Sequence, residues 1–210
     1  MENYAKIVSF EEFDQLRDQL GRIVCTSGGF DPIHPGHASC LIESKQYGDN
    51  LVVVVNGDSF LRRKKGKPFM DVDTRCNVVS CIRGVDYVIP FDIEDDQTVC
   101  EALRRIRPHV FTKGGDRVDY TNIPEWQVCI DLEIELVPQV GRPKHWSSSD
   151  FLKEWGSFLE ELRISSAALR SGSGDVNALP VSISSPEPGL RRKRRLAANL
   201  WQNYAIYVQD

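Results

Sequence analysis

The chain has 210 residues, 41% of them hydrophobic and 27% charged, enough for one α/β body with an appendage. Its formal net charge of −4 argues against a dedicated nucleic-acid binder, though a local basic patch can still attract an anion. No run reaches the roughly 20 apolar residues of a membrane span, and Met1-Glu2-Asn3-Tyr4-Ala5-Lys6 lacks the apolar stretch of a signal peptide.

In chain order, Ser9-Phe10-Glu11-Glu12-Phe13 opens an amphipathic helix, with Ser9 as N-cap and Glu12 completing a capping box. Arg22-Ile23-Val24-Cys25-Thr26 reads as a first strand, ended by Gly28-Gly29, and a helix follows from about Gly36 to Tyr47. Leu51-Val52-Val53-Val54-Val55 is a β-branched run suited to a strand buried on both faces. Arg62-Arg63-Lys64-Lys65 reads as a basic loop, solvated or closing over phosphates, and a helix spans about Asp73 to Arg83. Asp86–Pro90 is a third strand, Thr98–Ile106 a helix, His109–Thr112 a fourth strand and Ile134–Val137 a fifth. Ser147-Ser148-Ser149 starts a last helix through about Leu162.

This alternation predicts an α/β fold: a Rossmann-like, parallel five-stranded sheet with helices on both faces. The expected domain covers residues 1–164, and 165–210 forms a flexible tail. That tail holds a Ser/Gly/Pro-rich linker, the basic run Arg191–Arg195 and an aromatic end. The basic run fits a nucleic-acid or membrane-surface contact, a localisation signal or a solvated charge cluster. The six cysteines form no Cys-x-x-Cys pair and no zinc-spaced cluster, which points to reduced thiols in the cytoplasm.

Ligands of such sheets bind beyond the carboxyl ends of the strands. Three segments converge there: Gly28–His37, Lys113–Asp116 and Arg142–Ser149. His34 and His37 sit at the mouth of a helix, whose free N–H groups and dipole attract phosphate. Gly28 and Gly29 permit close backbone approach. Imidazoles, helix N–H groups and cationic side chains suit nucleotidyl transfer, in which a phosphate oxygen attacks the α-phosphorus of a nucleoside triphosphate and pyrophosphate leaves.

Gly28-Gly29-Phe30-Asp31-Pro32-Ile33-His34-Pro35-Gly36-His37 resembles the signature of the HxGH nucleotidylyltransferases. Arg142-Pro143-Lys144-His145-Trp146-Ser147-Ser148-Ser149 resembles that superfamily's second, phosphate-binding segment, at the spacing of its cytidylyltransferase-like branch. Phe111-Thr112-Lys113-Gly114-Gly115-Asp116 resembles heptose-1-phosphate adenylyltransferases more than glycerol-3-phosphate cytidylyltransferases, and Gly-Gly-Phe-Asp-Pro-Ile-His is also similar to mononucleotide adenylyltransferases.

The resemblance implies transfer from an NTP, ATP before CTP, to a phosphorylated sugar or polyol. The alternatives are a glycerol-3-phosphate-type cytidylyltransferase, a mononucleotide adenylyltransferase and a non-catalytic nucleotide-binding module. It implies catalytic roles for His34, His37, Lys45 and Arg142. It implies nucleotide contacts from Gly28, Gly29, Phe30, Asp31, Gly36, Lys113, Gly115, Asp116, Ser147, Ser148 and Ser149, and acceptor contacts from Asn56, Asp58 and Arg75. Mg²⁺ is expected with the triphosphate, with no protein ligand assigned, Asp31 being the nearest candidate. The expected partners are the NTP and the acceptor, without nucleic acid or membrane, and a homodimer is implied by resemblance alone.

Overall fold

The computed structural model describes residues 4–93, 98–115, 121, 123–143, 145 and 147–170. Seven α-helices and six strands are present among them. Strands β1 (Lys6–Ile7), β2 (Ile23–Gly28), β3 (Asn50–Asn56), β4 (Tyr87–Phe91), β5 (Val110–Thr112) and β6 (Glu135–Val137) form one sheet in the order β1-β4-β3-β2-β5-β6. Every pairing is parallel. The chain divides into two units, residues 1–157 and 158–210, and the sheet lies wholly in the first.

The order of the sheet follows from burial. In β3, Leu51 to Val55 are all fully buried, which requires a strand covered on both faces and so a central one. Successive side chains alternate. Val52 and Val54 join a core with Phe13, Leu103, Ile106 and Phe111, whereas Leu51, Val53 and Val55 join Leu41, Val79 and Val88 on the other face. Each such side chain contributes about 1.5–3 kcal/mol when taken from water. The first face is covered by α1 (Phe10–Leu16), α5 (Cys100–Ile106) and α6 (Pro124–Asp131); the second by α2 (Pro35–Ser44) and α4 (Val72–Ser80).

Several expected boundaries hold closely. Ser9 Oγ accepts from the Glu12 N–H at 3.2 Å and the Glu12 carboxylate accepts from the Ser9 N–H at 2.7 Å, the predicted capping box. Helix α2 continues as a 3₁₀ turn, Lys45–Tyr47, which matches the expected end, whereas α7 spans Ser148–Arg170 and so runs past the expected end near Leu162 and into the segment expected to be a flexible tail from residue 165.

Three departures matter. The sheet has six strands rather than five, because Lys6–Ile7, just before the capped first helix, adds beside β4 through Tyr87 and Val88. The expected basic loop is a helix, α3 (Asp58–Lys65), with Asp58 in its first turn and all four basic residues in its last, both matching the helix dipole. Helix α6 was not anticipated, although Pro124 stands in its first turn, where proline is favoured.

The chain winds to one side of β2 through β3 and β4, then returns to add β5 on the other side. The point where the order reverses therefore lies between β2 and β5, and the crevice beyond their carboxyl ends is where such sheets bind ligands.

Candidate active site

That crevice is a cleft of about 480 Å³, lined by residues from the Gly28–His37 turn, α2, α3, the Lys113–Gly115 segment and the Arg142–Ser149 segment. All three segments picked out in the sequence meet there. Asp116 lies outside the described residues.

Strand β2 ends on Gly28, and the chain then reverses through Phe30 in a left-handed conformation (φ 50°). The Phe30 ring folds back beneath the strand end. A Cβ on Gly28 would stand 3.0 Å from that ring, so glycine is what lets the ring lie there. Phe30 in turn meets the His37 imidazole edge to face, with centroids 5.2 Å apart.

His34 caps α2. Its Nδ1 accepts the His37 N–H at 3.3 Å, and Pro35 occupies the first turn, where an N–H would lack a partner. An accepting Nδ1 puts the proton of the neutral ring on Nε2. His34 is thus a hydrogen-bond donor on a cleft-lining side chain. The two rings stack at 3.6 Å with 14° between planes. Burial, then His34, Lys65 and Lys64, push the His37 pKa down to about 3. Burial lowers that of His34 too, opposed by its backbone hydrogen bond and assisted by Lys65. Both rings are therefore neutral near pH 7. His37 Nδ1 is buried with no hydrogen-bond partner among the described residues.

Cations surround this pair. Lys64 and Lys65 reach the cleft from the end of α3, Lys113 from the end of β5 and Arg142 from the later loop. Lys65 stays close to home: its Nζ contacts the Asp31 carbonyl and lies 3.8 Å from the Asp31 carboxylate. Lys113 lies over the Phe111 ring at 4.8 Å and 3.6 Å from the Glu125 carboxylate.

The second segment is tied to the first. Ser147 caps α7, its Oγ accepting the Asp150 N–H at 3.4 Å, while Ser148 Oγ donates to the Pro32 carbonyl at 2.9 Å. Phe151 meets His34 edge-on at 6.3 Å. The first turns of α2 and α7 thus open onto one cleft, and their free N–H groups suit phosphate oxygens.

Four expected site residues do not reach it. Lys45, expected at the triphosphate, lies at the far end of α2, where its Nζ pairs with the Asp86 carboxylate at 2.6 Å. Asp86 also accepts the Leu51 N–H at the start of β3, so Lys45 sits at the amino ends of the strands, opposite the cleft. Arg75, expected on the acceptor phosphate, is fully buried. Its guanidinium donates to the carbonyls of Gly29 (2.9 Å), Asn56 (2.5 Å) and Met70 (3.0 Å) and to the Asp58 carboxylate (2.7 Å). Asn56 and Asp58 are thereby structural partners of Arg75, and neither lines the cleft. Asp31 does line it, yet its buried carboxylate accepts the N–H groups of Phe69 and Met70 at 2.8 and 2.9 Å.

Sequence reasoning missed Cys40, Leu41 and Leu61 in the cleft wall. Cys40 was open to inference: it lies four residues beyond Gly36 and three beyond His37, on the same face of α2.

A doubly wound sheet that gathers two helix starts, paired neutral imidazoles and several cations at its switch point is an α/β protein built to hold a phosphorylated nucleotide. The chain belongs to the cytidylyltransferase-like family, whose profile matches residues 25–171. It is similar to the bifunctional protein HldE of Methylococcus capsulatus, 42% identical over 110 residues, covering 51% of this chain and 23% of that one. The HldE of Aliarcobacter butzleri is 38% identical over 116 residues, 52% of this chain and 24% of its own. A lipopolysaccharide core biosynthesis protein from Thermoplasma volcanium aligns with a TM-score of 0.49 and 28% identity, over 58% of this chain and 98% of its own. The matched stretch spans about a quarter of the length of these HldE proteins.

Proposed function

We propose that the chain is a nucleotidylyltransferase that moves a nucleoside monophosphate from an NTP to a phosphorylated sugar or polyol and releases pyrophosphate. The observation that carries this reading is the stacked, neutral His34–His37 pair at the start of α2, in a cleft ringed by cations. When an acceptor phosphate oxygen attacks the α-phosphorus, a P–O bond forms and the bond to the bridging oxygen of pyrophosphate breaks. Charge builds on the α-phosphate oxygens and on the leaving group. A neutral imidazole with its proton on Nε2 donates to such an oxygen without first losing a charge to burial. The N-terminal turn of α2 adds backbone N–H groups, and that of α7, with Arg142, Lys64, Lys65 and Lys113, receives the remaining phosphates. No covalent intermediate is required.

Mg²⁺ fits this reading as a companion of the triphosphate. No cluster of three His, Cys, Asp or Glu side chains able to hold a metal exists among the described residues, and Asp31 is already engaged. The ion would be held chiefly by phosphate oxygens and water, and when bound it neutralises charge on the triphosphate.

ATP is the proposed nucleotide. The support is the Lys113-Gly114-Gly115 segment and the similarity to the HldE proteins. The Gly114 backbone is pressed into the cleft wall, where a Cβ would stand 3.0 Å from Cys40 Sγ and 3.3 Å from the Val140 carbonyl. We assign catalysis to residues 1–164, with 165–210 as an appendage. No helix among the described residues is long and apolar enough to cross a membrane.

The test is pyrophosphate release over a panel of ATP, CTP, GTP and UTP with heptose-1-phosphate, glycerol-3-phosphate and nicotinate mononucleotide. ATP with the sugar phosphate should give turnover, and His34→Ala and His37→Ala should each lose about 10²-fold or more in kcat, as expected for a lost transition-state donor. Nucleotide binding without turnover for any acceptor would make the chain a binding module. A clear preference for CTP would overturn the choice of base.

A further inference from the structure

We propose that Glu43, acting with Ser39, is a positioning residue that fixes Arg142 in the cleft. This rests on the nucleotidyl-transfer reading and goes beyond it, because Glu43 lies in neither signature segment.

The argument starts with α2. Ser39 and Glu43 are four residues apart and share one face of the helix. The loop that carries Arg142 crosses that face. Glu43 Oε2 accepts the Gly141 N–H at 3.1 Å, and Ser39 Oγ accepts the Arg142 N–H at 3.0 Å. The Ser39 hydroxyl spends its own proton on the Gly36 carbonyl, at 3.1 Å. One hydroxyl therefore links the first turn of α2, which faces the phosphates, to the backbone of Arg142.

The contact is close enough to define a position. Gly141 has φ +94°, and a Cβ there would stand 2.7 Å from Cys40 N and 2.8 Å from Cys40 Cα. Only glycine lets the loop backbone lie against the helix backbone in this way. On the other side the Val140 N–H donates to the Lys113 carbonyl at 3.0 Å, so the loop is held between the end of β5 and α2. Arg142, Pro143 and His145 are exposed, so burial does little to fix these described residues of the loop. Two hydrogen bonds from α2 thus set where the arginine enters. The same helix that presents His34 and His37 measures the distance to the cation that meets the phosphates.

The experiment is a double-mutant cycle between Glu43→Ala and Arg142→Ala in the full chain. It is read both in kcat/KM and in the Kd of the α,β-methylene analogues of ATP and CTP. Arg142→Ala should weaken both by about 10-fold to 10²-fold, and Glu43→Ala by about 10-fold. The double variant should fall no more than about twofold below Arg142→Ala alone, because Glu43 acts through the arginine. Glu43→Gln, whose amide oxygen still accepts the Gly141 N–H, should recover most of the loss, and the thermal midpoint of all variants should stay close to that of the parent. Losses that multiply in the double variant overturn the proposal, as does a Glu43→Ala enzyme equal to the parent or a Glu43→Gln enzyme as impaired as Glu43→Ala. A parent that binds the analogue but turns over no acceptor overturns nucleotidyl transfer alone, and the cycle in Kd still decides the role of Glu43.

Discussion

Replacing Arg75 with alanine tests whether this arginine holds the fold or holds the substrate. Its guanidinium is fully buried and spends its donors on three carbonyls and one carboxylate. Those acceptors belong to the glycine turn, the end of β3, the loop before α4 and the first turn of α3. Charge-assisted hydrogen bonds contribute about 1.5–3 kcal/mol each, but they share one desolvation cost and do not add. Breaking a buried ion pair by removing one partner costs about 3–5 kcal/mol, and that is the expected loss here. In a domain of this size each kcal/mol lowers the thermal midpoint by about 2–4 °C, so the midpoint should fall by about 6–20 °C. Thermal unfolding followed by circular dichroism measures that midpoint, and urea unfolding measures the free-energy loss. Arg75→Lys should rescue little, because an ammonium cannot span the same fork of acceptors. An Arg75→Ala protein with an unchanged midpoint and an acceptor KM raised tenfold or more would refute this reasoning and return Arg75 to the substrate.

Lys45→Ala should leave kcat/KM within about twofold and cost no more than about 1 kcal/mol in urea unfolding, since its ion pair with Asp86 is about one-third exposed; a large loss of turnover would place it back in the site. The pH dependence of stability should carry the mark of His37. Its folded pKa, about 3, lies below the unfolded value of about 6.5, so the unfolded chain binds more protons between them. Its contribution is whole above about pH 6.5 and is lost as the pH falls towards 3. His37→Gln should flatten that part of the profile, and a slope unchanged by the substitution would show that the ring is not buried neutral.

The strands were readable because burial on both faces leaves a plain signature, Leu51–Val55, and because glycine and proline punctuate the rest. The convergence of three segments on one crevice followed from topology. Helix α3 escaped because Leu61 is its only buried residue, so no apolar period marks it. Its ends were better signals than its middle: Asp58 in the first turn, basic residues in the last and Gly66 after them. Strand β1 is two residues long and owes its existence to a partner 81 residues away, which no local pattern records. The misplacement of Lys45 has a geometric cause. A helix of ten residues is about 15 Å long, so a lysine at its last turn cannot serve phosphates gathered at its first. Resemblance carried the residue type across without its direction. Arg75 and Asp58 failed for a related reason: a charge that looks made for a substrate was already neutralised inside the fold.

The two strands that bound the sheet are short: β1 has two residues and β6 three, the latter no longer than its interior neighbour β5, against six and seven for β2 and β3. An open sheet exposes unpaired backbone groups along its borders, and long, flat borders recruit strands from other molecules. Here little ladder remains to be extended. Lys6 stands on one border and Glu135, paired with Arg22, on the other, so an incoming strand would meet charge before it met hydrogen bonds. The same economy that leaves the margins stunted protects the crowded valine centre from being copied by a neighbour, a safeguard against fibrous self-association written into strand length.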